Sequence, residues 1–288
     1  SGGGAELARI DAGELQQMIT TASDDRIAFI GPQLVTEAIA ATQRLVLLGE
    51  PGSGKSTALR FLALTLAEAA LDPAIRGANQ GTGWEPLGDA TRLLPLFLPL
   101  LPFARTLAAT PTMTDTAKEL WNHIADELEP NGANKGLATA MHAELSAGRV
   151  LVMFDGLDEI VGALSRQKIV QAVAQFATEY PQCRVVVSCR VRAYEGAQNE
   201  AWQLPGWPTA RLQSWGAGQQ QSFIVAWCLA ATNAGSLPEA QRESRVASLR
   251  HAIMTSPDLQ RLASSPLLLT VIAPVSYTHL TLPTNREV

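Results

Sequence analysis

Short runs of apolar residues along the chain predict the buried strands of a parallel sheet. The runs Leu45–Leu48, Val150–Phe154 and Val185–Val187 contain no polar residue, and strands that are buried on both faces have such continuous patterns. Leu93–Leu101 is a further strand candidate, and its two prolines suit an edge position. Pro208–Gln213 is a weaker candidate for a fifth strand.

Segments with helical periodicity lie before, between and after these strands. Strands that alternate with helices are typical of an α/β protein. The predicted helices are Val35–Thr42, Ser56–Leu71, a helix from Thr116 that includes Leu128, Gly136–Ala147, Gln167–Tyr180, Gly218–Ala230 and Pro238–Met254. A last helix begins at Ser256-Pro257, and Pro266 interrupts the helical region that follows. His123 is interpreted as a surface residue. Arg242, Arg245 and Arg250 are interpreted as a solvated helix face.

The segment between the first strand and the next helix carries a phosphate-binding motif, the Walker A pattern G-x-x-x-x-G-K-[ST]. It reads Gly49-Glu50-Pro51-Gly52-Ser53-Gly54-Lys55-Ser56-Thr57. Glycines allow a ligand to approach the backbone, and the free N–H groups of a helix start favour an anion. We expect Lys55 to contact the β- and γ-phosphates and Ser56 to bind Mg²⁺. The alternative is a glycine-rich turn with an incidental lysine.

A second motif follows the strand that begins at Val150, and it reads Asp155-Gly156-Leu157-Asp158-Glu159. Asp155 ends an apolar strand, at the sheet edge where ligands bind in open α/β proteins. P-loop enzymes hold Mg²⁺ at such a Walker B position. Glu159, with Asp158 as the alternative, would polarise the attacking water as a general base. Without the upstream motif, an acidic turn that caps the strand would be an equally good interpretation.

Arg190 is a candidate for contact with the γ-phosphate. It ends the strand Arg184–Arg190, and a cation at that edge would stabilise the charge that develops during phosphoryl transfer. The alternative is a surface arginine that pairs with a carboxylate.

Composition narrows the class of protein without identifying it. The chain has 288 residues, 47% hydrophobic and 17% charged, which is typical of one large globular domain or one domain and part of another. Its net charge of −5 argues against nucleic acid as a partner. Three scattered cysteines without C-x-x-C spacing favour reduced thiols and a cytoplasmic location. The longest apolar run, Leu93–Ala104, is too short to span a membrane.

Both ends of the sequence need separate interpretation. The first residue is Ser1 rather than methionine, so we expect that the natural N-terminus is missing. The segment Val275–Val288 resembles the translation of a transposase sequencing adapter, so we interpret it as an assembly artefact. We therefore assign no function to His279 and expect the natural chain to continue beyond Pro274.

The two motifs together resemble the NACHT family, a group of P-loop NTPases of the STAND class, and most of all its bacterial members. The residues that carry the resemblance are Gly49–Thr57 and Asp155–Glu159. Ser188-Cys189-Arg190 resembles the sensor-1 position of that family, and Leu94–Ala104 fits its pattern for an apolar strand. Ser265–Leu269 resembles the helical segment whose proline, here Pro266, packs near the adenine.

This resemblance implies a three-layer α/β fold of the ASCE or AAA+-like kind, with a central parallel sheet of order 5-1-4-3-2. The Arg190 strand would then separate the Asp155 strand from the P-loop strand. Implied boundaries are residues 1–42 for a linker and short helices, 43–215 for the nucleotide-binding domain and 216–274 for a helical subdomain over the adenine. Residues 275–288 are the adapter-like segment.

The resemblance also implies a function, that of an ATP-dependent signalling switch with slow Mg²⁺-dependent hydrolysis. ADP would hold a closed state, and exchange for ATP would allow homo-oligomerisation, in bacteria often for defence against phage. An N-terminal effector, a C-terminal sensor and the winged-helix part with its nucleotide-contacting histidine are expected to lie outside this sequence. One alternative is an AAA+-type motor or loader that acts on nucleic acid or protein. The other is a nucleotide-binding scaffold that does not hydrolyse.

Overall fold

The computed structural model describes residues 34–71, 93–109, 116–196 and 203–279. These residues form two units, each with its own interior. The first unit contains residues 34–48 and the described part of 56–211, and the second contains residues 49–55 and 212–279. The phosphate-binding loop therefore belongs to the same unit as the C-terminal helices. The domain boundaries 43–215 and 216–274 stay predictions.

Strands and helices alternate through the first unit, as their apolar patterns predict. The elements are α1 (Val35–Ala41), β1 (Arg44–Gly49), α2 (Lys55–Leu71), β2 (Leu94–Pro99), α3 (Leu100–Ala109), α4 (Thr116–Leu128), α5 (Leu137–Ser146), β3 (Val150–Asp155), α6 (Ala163–Glu179), β4 (Arg184–Arg190), α7 (Val191–Glu195) and β5 (Thr209–Arg211). A 3₁₀ turn over Leu157–Glu159 follows β3 directly. Residues 1–33 and 280–288, for which linker, helix and adapter assignments were predicted, lie outside the described residues.

The five strands form one sheet in the order β2-β3-β4-β1-β5, which confirms the predicted 5-1-4-3-2 arrangement. The pairs β2–β3, β3–β4 and β1–β5 are parallel. β4, the strand of Arg190, lies between β3 and β1. This order brings the carboxyl ends of the Asp155 strand and the Arg190 strand side by side.

Helices cover both faces of the sheet, so the predicted three-layer architecture is confirmed. One face contributes Val46, Val152 and Val185 to a core that also contains buried residues of α3, α4, α5 and α6. The neighbouring strand residues on the opposite face are buried too but lie outside that core. There Arg60 of α2 stacks over the Phe97 ring of β2, 5.5 Å from its centroid. This is the fold class of P-loop NTPases.

One predicted strand is too long. The apolar segment Leu94–Ala104 divides into β2, which ends at Pro99, and α3, which begins at Leu100. Leu100, Phe103, Ala104 and Leu107 are buried, and their spacing follows the period of a helix. Because the segment is apolar almost throughout, its sequence does not separate a buried strand from a buried helix start.

Two polar residues that were assigned to the surface are buried instead. His123 is only 9% exposed and lies beside Phe103, with ring centroids 5.4 Å apart. Arg245 is also 9% exposed, because its guanidinium turns inward and donates a hydrogen bond to the Ala273 carbonyl at 3.1 Å. Satisfying a backbone carbonyl in this way offsets the cost of burying the charge. Arg250 is exposed, as predicted.

His123 makes the stability of the first unit depend on pH. Burial is the largest influence on its imidazole and lowers its pKa below 6.5, while Glu127 and Asp126 oppose that shift. A lowered folded-state pKa means that stability is complete above pH 6.5 and is lost as pH falls toward the folded-state value.

We expect His123→Phe to flatten the fall of the unfolding temperature between neutral and mildly acidic pH. The ring is retained next to Phe103, and no titrating nitrogen remains. The exposed Asn122 on the same helix provides a control, since neither side chain in Asn122→Gln titrates and the pH dependence should stay unchanged. Equal slopes in wild type and His123→Phe would contradict the assignment.

The second unit is helical outside the loop 49–55. Its helices are α8 (Ala217–Asn233), α9 (Arg242–Thr255), α10 (Pro257–Ala263) and α11 (Pro266–His279). They enclose a core that contains Ile224, Cys228, Leu237, Leu249, Ile253, Ala263 and Leu269, and the predicted inward residues Phe223 and Trp227 pack against it. The Ser256 side chain accepts a hydrogen bond from Leu259 N, as expected of a helix cap. No helix within the described ranges is long and apolar enough to cross a membrane.

The helical region that begins at Pro257 is interrupted just before Pro266, as predicted, since α10 ends at Ala263 and α11 begins at Pro266. This position suits proline because the first helical residue needs no N–H partner. The same helix contains Pro274 and continues to His279, so its backbone runs into the segment assigned to an adapter. The origin of that segment stays a prediction.

Candidate functional site

A buried carboxylate connects the strand-end motif to the residue that follows the P-loop lysine. Asp155 is 7% exposed. Its Oδ1 accepts hydrogen bonds from Ser56 Oγ at 3.0 Å and from Ser188 Oγ at 2.5 Å. Ser188 Oγ in turn accepts a hydrogen bond from Gly156 N at 2.9 Å. The predicted metal ligands Ser56 and Asp155 are therefore adjacent in the structure.

The fold explains why these groups meet. β3 and β4 are parallel neighbours, and the pair Phe154 and Val187 is in register. The next residue on each strand, Asp155 and Ser188, therefore comes to the same point of the carboxyl edge. Ser188 is 1% exposed and fixes the carboxylate orientation from its buried side. In the sequence analysis Ser188 entered only as part of the sensor-1 resemblance and was not among the predicted site residues.

The donor set suits Mg²⁺, which prefers oxygen ligands and keeps several waters. Ser56 offers a hydroxyl and Asp155 a carboxylate, and Mg²⁺ is usually held by one or two such groups together with substrate phosphates. Ser56 and Asp155 would thus hold the ion together with water and phosphate oxygens. Among the described residues, no group of three or more His, Cys, Asp or Glu side chains could form a metal cage.

Asp158 and Arg190 form an ion pair at the same edge. Arg190 Nε lies 2.8 Å from Asp158 Oδ2, and Arg190 N donates to Asp158 Oδ1 at 3.0 Å. The Asp158 side chain is 7% exposed, whereas that of Arg190 is 52% exposed. Both oxygens of Asp158 are therefore occupied by one residue, which is the arrangement that the alternative interpretation of Arg190 describes.

Glu159 is the exposed carboxylate of the strand-end motif. Its side chain folds back over Gly156. The distance is so short that a Cβ on that glycine would lie only 3.0 Å from Glu159 Cδ. Gly156 has φ +84°, a conformation that favours glycine. The 3₁₀ turn over Leu157–Glu159 thus brings the Glu159 carboxylate back to Gly156, next to Asp155 in the chain. Glu159 fits the role of a water-orienting base better than Asp158, whose oxygens are occupied.

The loop 49–55 has the backbone form of an anion-binding nest. Gly52 and Gly54 have φ values of +73° and +90°, and Ser53 between them does not have a positive φ. Alternating handedness of this kind turns successive N–H groups toward one side. Ser53 N donates to Glu50 O at 3.1 Å, which closes a turn at the start of the loop.

Lys55 folds back over this loop. Its Nζ donates to Gly49 O at 2.8 Å and to Glu50 O at 3.2 Å. These carbonyls hold the ammonium group at the loop, where the motif expects the β- and γ-phosphates to bind.

The other predicted nucleotide contacts are less constrained. Glu50, Pro51 and Thr57 are exposed. Pro266 Cγ lies 3.9 Å from the position that a Cβ on Gly54 would occupy. The predicted adenine-side proline and the phosphate loop are therefore close to each other within the second unit.

Comparison with known proteins gives a distant structural likeness. No protein-family model matches the chain, and no curated protein matches it. Among solved structures, the chain is similar to PCH-2 of C. elegans, with 12% sequence identity and a TM-score of 0.41. The alignment covers 85% of this chain and 67% of that one. A likeness at this level does not identify a family, so the NACHT resemblance stays a prediction.

Proposed function

We propose that this protein binds ATP and hydrolyses it slowly with Mg²⁺, as a nucleotide-dependent switch of the STAND type. One observation carries the proposal, the 3.0 Å hydrogen bond between Ser56 Oγ and Asp155 Oδ1. It joins the hydroxyl of the phosphate-binding motif to the strand-end carboxylate, which is the pairing that a Mg²⁺–nucleotide complex requires. The parallel sheet of P-loop type supports the same conclusion.

The chain itself supplies binding and charge neutralisation. The backbone N–H groups of Gly52–Ser56 would cradle the phosphates. Lys55 would exchange the carbonyls of Gly49 and Glu50 for β- and γ-phosphate oxygens. Ser56 and Asp155 would hold Mg²⁺, directly or through water, with Ser188 keeping the carboxylate in place. When bound, the ion neutralises phosphate charge and orients the γ-phosphate.

Hydrolysis requires a group that orients and deprotonates water. Glu159 takes this role in the proposal, because its carboxylate is exposed and returns toward Gly156. Asp158 instead holds Arg190. We also propose that Arg190 contacts the γ-phosphate, since its side chain is half-exposed and can reach a ligand.

The switch, the motor and the scaffold are expected to differ in whether they form ADP and how long they retain it. A switch would retain ADP and oligomerise after exchange for ATP, with effector and sensor modules outside this sequence. An AAA+-type motor or loader would release ADP quickly, and a scaffold would bind nucleotide without hydrolysis. The net charge of −5 favours the switch over a nucleic-acid motor. A cytoplasmic location and a role in bacterial defence belong to the same proposal.

The first experiment is to purify the full chain without added nucleotide, denature it and identify any released nucleotide by chromatography. We expect about one ADP per chain, because a closed switch holds its product. Protein that is empty but turns over ATP rapidly would favour the motor. Protein that releases intact ATP and never converts it would favour the scaffold.

A further inference from the structure

The first turn of α11 contacts the phosphate-binding loop through a single carbonyl. Leu267 N donates to Gly52 O at 3.2 Å, and Ser265 Oγ donates to the same oxygen at 3.3 Å. The first N–H groups of a helix have no partner within the helix. Gly52 O therefore acts as the acceptor for the start of α11, although Gly52 and Ser265 are 213 residues apart along the chain.

Close packing accompanies these hydrogen bonds. A Cβ on Gly52 would lie 2.9 Å from Leu267 Cβ and 3.1 Å from Ser265 Oγ. A real Cβ does not tolerate the 2.9 Å contact with Leu267 Cβ, so the helix can approach this closely only because residue 52 is glycine. The same residue needs its positive φ for the nest conformation. One glycine thus serves both the loop shape and the contact with α11.

The contact fixes the orientation of one peptide group in the nest. Gly52 O and Ser53 N belong to the same planar peptide. The oxygen is held by Ser265 and Leu267, while the nitrogen donates to Glu50 O at 3.1 Å. With both ends held, this peptide cannot rotate, and the N–H groups that follow it keep their convergent arrangement.

We propose that Ser265 is a positioning residue for nucleotide binding, which keeps the loop 49–55 in its anion-binding form through the Gly52 carbonyl. This inference rests on the proposed function. It assigns to the helical unit a direct influence on nucleotide affinity, through a hydroxyl that does not itself need to touch the ligand. Because coupling is reciprocal, bound nucleotide must also stabilise the contact between Ser265, Leu267 and Gly52.

The test is the rate at which a fluorescent ADP analogue leaves the full chain. Loss of one hydrogen bond predicts that Ser265→Ala releases the analogue about 3- to 10-fold faster than wild type. Ser265→Thr retains a hydroxyl at a helix start and should restore the slow rate. Ser264→Ala is the matched control, because Ser264 Oγ donates to Arg261 O within its own turn. It should release the analogue at the wild-type rate.

A second readout separates positioning from general stabilisation. Hydrogen exchange of the Leu267 amide reports the contact directly, since its acceptor is Gly52 O. Adding ADP should slow this exchange in wild type and should slow it less in Ser265→Ala. Dissociation from Ser265→Ala at the wild-type rate, with ADP bound by both proteins, would overturn the positioning role alone. A wild-type chain that binds no ADP at all would overturn the proposed function instead.

Discussion

Glu159→Gln is expected to leave ATP affinity unchanged and to lower ATP turnover by about 100-fold or more, the range found for loss of a general base. Glutamine keeps the size of the side chain that folds over Gly156 but cannot accept a proton. Asp158 is not free to take over, because both of its oxygens are held by Arg190. Single-turnover hydrolysis of bound ATP measures the chemical step without a contribution from ADP release.

Glu127→Gln is the matched control for this experiment, because Glu127 is an exposed residue of α4 outside both motifs. It should hydrolyse ATP like wild type. Unchanged turnover in Glu159→Gln would contradict the assignment and move the base to Asp158. The ion pair with Arg190 would then have to open during the reaction.

The sheet was predictable because its strands leave a simple pattern. β1, β3 and β4 each contain a continuous apolar run, and most positions of these strands are buried. The strand order was implied by the resemblance and is confirmed. The start of α3 was not predictable, because the run through Leu100 is apolar in either conformation.

The site was predictable where strand ends decide it. Asp155 and Ser56 each follow from a motif, and parallel strands bring such ends to one edge. The sequence did not decide which groups pair with each other. It left two possible partners for Arg190, the γ-phosphate and a carboxylate. The contact of Ser265 with Gly52 could not be predicted, since its acceptor is a backbone carbonyl that every residue possesses. His123 and Arg245 were misplaced because polarity alone does not reveal a buried environment.

Lys55→Ala is expected to weaken ATP binding by more than about tenfold, or about 1.4 kcal/mol. The loss comes from charge. Lys55 is the only cation within the motif Gly49–Thr57, so alanine removes the positive charge that neutralises the β- and γ-phosphates. In the ligand-free loop Nζ donates to Gly49 O and Glu50 O, and giving up these hydrogen bonds on binding offsets part of the gain from the phosphate contacts. Equilibrium titration with ATP and Mg²⁺ measures the effect.

Lys135→Ala separates this local effect from a change in overall charge, because Lys135 is exposed and lies outside the motifs. It should bind ATP like wild type. Lys55→Arg keeps the charge but places a larger, planar group in the loop, so it should recover only part of the affinity. If Lys55→Ala bound ATP with wild-type affinity, the loop 49–55 would not be the phosphate site. Ser56 and Asp155 would then be a structural hydrogen bond at the sheet edge, and the switch proposal would lose its central observation.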